Sequence, residues 1–307
     1  METQPYTITR YSLIPSSSFN EQLTFNLEKG GAFSKEQAFE QAIFELEKNI
    51  HKDIYIERDD TKIHYMLYFS ERLGKDTVVL QFAKEKTIVL NKVTESKIEA
   101  QETPDFPNTS IIINLKKQYC FIQENRKLSS SINSIASAFS KCMNKLFDEL
   151  YLFIIIEIEL ITSAANFWNI VKENDGYISY AEFQLISPNF LGMDYETTEM
   201  LKVYQEANNN EKLTIGFENS KGKLKLFTEW IQELIKYISN GCGIWRLKVK
   251  GKRPTITSEN NPISIQLPDS SDISDKEAQK VLDDALAKIE RIENENKIKN
   301  KESDDSN

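Results

Sequence analysis

Apolar positions along this 307-residue chain switch repeatedly between a spacing of three to four and a spacing of two, and the switches mark out its elements. Ser34-Lys35-Glu36-Gln37 has the S-x-x-Q form of a capping box, and Phe39, Ala42, Ile43, Leu46 and Ile50 follow at helical spacing. A helix is therefore predicted over 35–50. Ile54 and Ile56, then 63–69, 78–82 and 87–90, are short β-branched and aromatic runs between charged or Gly-containing turns, the pattern of an antiparallel meander. Residues 92–107 are polar and end in Pro104-Asp105-Phe106-Pro107, which predicts an exposed loop. Strands return at 110–115 and 119–122 around Lys116-Lys117. A long helix follows, capped by Ser129 or Ser130, with Ile132, Ile135, Phe139, Met143, Leu146 and Leu150 on one stripe that must face the sheet.

A sub-domain boundary is placed near residue 150, where 153–161 is expected to open a second sheet. The second half then reads helix (164–171), strand (177–186), helix (195–207), strand (212–217) and a helix over 226–239 that Asn240-Gly241 stops in a left-handed cap. Strand 244–250 follows, with 263–267 as its partner. From 274 to 299 the chain is helical by composition, and Leu282, Ala285, Ile289 and Ile292 form a seam of two heptads. That seam suits either self-association or docking on the helix's own domain, and the final KESDDSN is expected to be disordered. The fold class is thus α+β: two mixed α/β sub-domains with largely antiparallel sheets, over 1–150 and 151–268, then a C-terminal amphipathic helix and acidic tail over 269–307.

Composition narrows the setting. The longest apolar run, 151–161, carries Glu157 and Glu159 and falls far short of the ~20 residues of a spanning helix, so no membrane span is expected. METQPYTITRYS lacks a basic segment followed by an apolar core, so no secretory signal is read and the location expected is cytoplasmic. Cys120, Cys142 and Cys242 are widely spaced and odd in number, which speaks for reduced core thiols rather than disulfides or a metal clip. His51 and His64 have no second ligand at metal spacing, so no metal or other cofactor is assigned. Of the net charge of −9, residues 269–307 carry −5 and the body −4, so any binding of polyanions must come from a local patch.

One motif invites a test. ENDGYISYAEF, residues 173–183, resembles the second half of a calcium loop, with Gly176 at the turn position and Glu182 at the last ligand position. The first ligand position is then Val171, and the segment after Gly176 alternates two faces rather than entering a helix. It is read as a turn, Asn174-Asp175-Gly176, that starts a strand.

Phosphate-binding, dinucleotide, zinc-protease and serine-hydrolase motifs do not occur. Glu157, Glu159 and Glu182 are candidates for a metal-dependent nuclease, although a chain with 47 acidic residues produces such pairs by chance. A more specific pattern is Trp245-Arg246-Leu247-Lys248-Val249-Lys250-Gly251-Lys252-Arg253. Period two sets Arg246, Lys248, Lys250 and Lys252 on one face, with Arg253 beyond, and Trp245, Leu247 and Val249 on the other. Lys221, Lys223 and Lys225 repeat the pattern in KGKLKL. Such runs form a phosphate-binding surface, or they blunt exposed sheet edges against aggregation.

The hairpin-then-helix unit FPNTSIIINLKKQYCFIQENRKLSSSINSIASAFSKCMNKLF (106–147), between an N-terminal and a C-terminal α+β part with a Pro188-Asn189 turn, resembles the RexA-type exclusion proteins and the B component of the Kiwa system, bacterial phage-defence proteins. The resemblance covers about 60–250 and rests on element order and hydrophobic spacing. It implies a cytosolic, non-enzymatic protein of antiviral defence that binds or senses DNA, acts as a dimer, and works with a partner defence protein. The acidic tail departs from what a simple DNA binder carries. Three functions follow as expectations: DNA binding without sequence preference through the basic strands, an adaptor that recruits a partner through the 275–299 helix, and a metal-dependent nuclease.

Overall fold

The computed structural model describes residues 3–15, 34–93, 97–186, 212–260 and 262–268, with single positions between 200 and 210 and between 280 and 287. The fold is α+β and mostly β, in largely antiparallel sheets. In chain order the elements are β1 (Thr3–Pro15), α1 (Lys35–Asn49), β2 (His51–Arg58), β3 (Thr61–Leu73), β4 (Thr77–Lys84), β5 (Lys86–Val93), β6 (Ile98–Asp105), β7 (Asn108–Asn114), β8 (Tyr119–Gln123) and α2 (Ile132–Glu149). There follow β9 (Ile154–Leu160), α3 (Ala164–Glu173), β10 (Ile178–Ile186), β11 (Lys212–Glu218), α4 (Glu229–Ser239), β12 (Gly243–Val249), β13 (Ile256–Thr257), a 3-10 turn (Ser258–Asn260) and β14 (Ser264–Pro268).

An eight-stranded sheet, in the order β14-β1-β8-β7-β4-β3-β2 with β9 also paired to β1, forms the larger body. Its organiser is β1, which the hydrophobic pattern did not single out. Residues 6–10 of β1 pair with β8, while residues 3–7 pair with β14 and residues 9–15 with β9. The segment expected to open a second sheet, β9, therefore belongs to the first: Ile156 faces Leu13 and Glu159 faces Arg10. The last strand likewise pairs with β1 rather than with β12.

α1 and α2 close one face of this sheet over Phe39, Leu46, Leu67, Phe82, Phe139 and Phe147. The start of α1 is fixed by the complete capping box, with Gln37 N–H donating to Ser34 Oγ at 3.2 Å and Ser34 N–H to Gln37 Oε1 at 2.8 Å. For α2 the cap is Ser131, just past the serines expected, and its hydroxyl makes no capping bond. A separate cluster on the sheet joins Tyr6, Ile8, Val79, Phe121 and Leu267.

The smaller sheet, β11-β10-β12-β13, packs Phe183, Trp245 and Leu247 against Phe167 of α3 and Leu234 and Ile238 of α4. Residues expected to loop out at 92–107 instead form most of a two-stranded sheet, β5 with β6. Opposite charges face across it, Lys86 to Asp105 and Lys92 to Glu99, so pairing is compatible with a sequence polar on both faces. Among the described residues no helix is long and apolar enough to cross a membrane. The Pro188-Asn189 turn, the start of the 195–207 helix, the KESDDSN end and Leu282, Ala285, Ile289 and Ile292 lie outside the described residues. Described positions between 200 and 208 are helical. Asp283 and Ala287 line a cavity of about 320 Å³ with residues 73–77, Asn114, Lys116 and Lys117, so these positions of the C-terminal segment lie against the larger body.

Candidate nucleic-acid interface

β12 carries the expected alternation. Trp245, Leu247 and Val249 are buried, Arg246 is partly exposed, and Lys248 and Lys250 are exposed. Phe167 meets Trp245 edge-on at 5.1 Å, which anchors the buried row. β12 is flanked by β10 along its length and by β13 only at Arg246 and Leu247, so it is an interior strand at those two residues. Edge protection therefore does not account for Arg246.

Cross-strand chemistry on the outer face does. Glu182 of β10 faces Arg246, and Arg246 Nη1 reaches Glu182 Oε1 at 2.5 Å. Tyr180 donates its hydroxyl to Glu182 Oε2 at 2.7 Å, and Lys248 Nζ lies 4.9 Å from the centre of the Tyr180 ring. The hydrogen bonds from Tyr180 and Arg246 hold the Glu182 carboxyl below its ordinary range, and the same bond raises the Tyr180 hydroxyl. The upper part of the ladder is a neutralised network; its free positive charge begins at Lys248.

From there the chain turns through Gly251 at φ +84°, and Lys250, Lys252 and Arg253 are all exposed. Lys252 Nζ donates to Asn174 Oδ1 at 2.8 Å. The second run, Lys221, Lys223 and Lys225, is no regular strand, but it keeps the period of two: the lysines are exposed while Gly222 and Leu226 are buried. A parallel bridge joins Lys223 to Ile178, the residue that pairs with Val249 on its other side.

Tyr177, a residue 62% exposed, sits at this meeting point. Its carbonyl accepts from Lys250 N–H at 2.8 Å, and a Cβ on Gly222 would lie 3.3 Å from the Tyr177 backbone. The two basic runs thus meet at the backbone of one exposed tyrosine. Sequence reasoning passed over Tyr177 because it fell inside the calcium-like motif. There, Tyr177 N–H closes a turn on Asn174 O at 3.0 Å, Gly176 takes φ +74°, and the chain enters β10 as expected. Val171 is buried in the second core.

Two of the three nuclease candidates, Glu157 and Glu182, are drawn into ion pairs. Glu157 Oε2 contacts Lys212 Nζ at 3.1 Å, and Glu182 is held by Arg246 and Tyr180. Glu159 retains some exposed surface but is hemmed in by protein, and burial is the main cause that pushes its carboxyl up to about 7, with Glu157 and Glu259 adding to it and Lys212 opposing. Among the described residues, no three His, Cys, Asp or Glu side chains gather as a metal-binding group. No protein-family model matches the chain, and no curated protein matches it in sequence.

Proposed function

We propose that this protein binds double-stranded DNA without sequence preference, through Lys248, Lys250, Lys252 and Arg253 on one side of Tyr177 and Lys221, Lys223 and Lys225 on the other. The observation that carries the reading is the convergence of both runs on the backbone of Tyr177, an exposed residue: Lys250 by a backbone hydrogen bond and Gly222 by close approach. Flexible lysines flanking an exposed aromatic ring suit a phosphate backbone, with affinity drawn from counterion release rather than from base edges. Arg246 serves this surface by fixing Glu182, which would otherwise repel the polyanion. By resemblance of residues 60–250 to phage-defence proteins, the setting proposed is the bacterial cytoplasm, in antiviral defence and without catalysis by this chain.

Fluorescence anisotropy of labelled duplex DNA, titrated at several salt concentrations, tests this. Affinity should fall with salt at a slope of about −0.9 per phosphate neutralised, whatever the DNA sequence. Replacing Lys221, Lys223, Lys248 and Lys250 by Gln should flatten that slope by about 3–4. Absence of binding even at low salt would reject the reading.

A further inference from the structure

A cavity of about 640 Å³ opens between the large sheet and the first turns of α2, well within the range of small-molecule sites. Its floor is the inner face of β2, β3 and β4. Strand register sets Ile56 beside Ile63, and Tyr65 beside Lys84, and Tyr65 stacks on Phe82 with centroids 5.4 Å apart. Arg58 follows Ile56 by two residues and Lys84 follows Phe82 by two, which sets both on the parity of core-facing rows, with Arg58 exposed at the mouth and 3.6 Å from Asp59 Oδ2. Core-facing rows are normally apolar; here they end in positive charge where the helix no longer covers them.

The helix wall adds Lys141, Ser134 and Ser137. Asn133 donates through Nδ2 to Glu259 Oε1 at 3.2 Å, while its Oδ1 is buried with no hydrogen-bond partner. Glu259, held also by Thr257 Oγ1 at 3.2 Å, closes one end, and Glu57 stands exposed at the rim. The cleft therefore combines an apolar, aromatic floor, three cations, and two acceptors at Asn133 and Glu259.

We propose that this cleft binds a nucleotide-class ligand, a ring-bearing organic phosphate, separately from the DNA surface above. The ring lies against Ile56, Ile63 and Tyr65; the phosphate meets Arg58, Lys84 and Lys141; and Asn133 Oδ1 and Glu259 accept from the ligand's amino or hydroxyl groups. An inorganic anion would satisfy the cations but leave the apolar floor and the Asn133 acceptor without partners.

Isothermal titration of the full chain with AMP, GMP, adenosine and inorganic phosphate tests the assignment. A nucleotide should bind at least about tenfold tighter than adenosine or phosphate. Lys84→Gln and Lys141→Gln should each weaken it by about tenfold. Ser137→Trp, on the exposed rim, should block it while the melting curve stays that of the parent. Lys248→Gln with Lys250→Gln should leave nucleotide affinity unchanged. The proposal is overturned if no nucleotide saturates below about 5 mM, if phosphate alone binds as tightly as AMP, or if the Lys248/Lys250 variant loses nucleotide binding while Lys84→Gln keeps it.

Discussion

A Cβ built on Gly241 stands 2.7 Å from the Cβ of Arg10 and 3.3 Å from Ile161 Cγ1. Gly241 follows α4 at φ +77°, and Arg10 lies in β1, so the helix terminus of the smaller body presses on a strand of the larger sheet. Gly241→Ala should cost about 2–4 kcal/mol, from the left-handed conformation and the overlap together. Urea denaturation gives the figure. Asn tolerates this conformation but carries the same Cβ, so Gly241→Asn should rescue little; full rescue would show that the contact with Arg10 is not the constraint.

The Tyr180 hydroxyl and Arg246 together hold Glu182 below its ordinary range, and Arg246→Gln removes the charged one of these two partners. A depressed carboxylate stabilises the fold above its unfolded value and loses that contribution as pH falls through the folded one. The variant should therefore be less stable by about 1 kcal/mol at pH 7, the pair being partly exposed, and should match the parent once Glu182 is protonated. Thermal melts at pH 7 and pH 3 check both ends.

Glu159 behaves in the opposite sense. With its carboxyl raised to about 7, mainly by burial, the folded state takes up a proton that the unfolded chain does not between the ordinary value of 4.5 and that point. Its penalty is full above pH 7 and declines as pH falls. Glu159→Gln should be more stable than the parent by on the order of 2–3 kcal/mol at pH 8, with the difference gone near pH 4. Equal stability at pH 8 would place the charge in a better-solvated setting.

His64 lies between two carboxylates, Nδ1 at 2.7 Å from Glu85 and Nε2 at 2.9 Å from Asp53, with Tyr55 stacked on it at 4.6 Å. Burial alone would lower its pKa; the hydrogen bonds to Glu85 and Asp53 outweigh it and raise the imidazole above 6.5. The stability this gives is complete below the unfolded value and is lost as pH rises through the folded one. His64→Gln should cost about 1 kcal/mol at pH 5.5 and nothing measurable at pH 9. An NMR titration of the His64 ring that falls below 6.5 would contradict this.

Local elements were legible in the sequence because their causes are local. The Ser34/Gln37 box set the start of α1, the stripe from Ile135 to Phe147 set α2, and the Trp245/Leu247/Val249 row set the buried face of β12. Pairing was less so. Nothing within 154–160 tells that Ile156 will lie beside Leu13, since that contact is decided by which edge of β1 is free. At the candidate site, the basic residues were read correctly as a face, but Arg246 could not be separated from Lys248 without knowing that Glu182 stands opposite. The cleft had a faint signal: Arg58 and Lys84 fall on the parity of Ile56 and Phe82, a charge where the alternation calls for a hydrocarbon.

The position of β1 also governs how the molecule comes into being. Thr7 sits beside Ser264, a partner 257 residues away. At about 5–20 residues per second, the ribosome completes that partner roughly 13–50 seconds after β1. Until then the strand's β14 edge has no mate, and loop closure over so long a span slows the final step of folding. Among the described strands β1 is thus a bookmark for β14, while β8 and β9, which come sooner in the chain, are the partners that can pair with its residues 6–15 first.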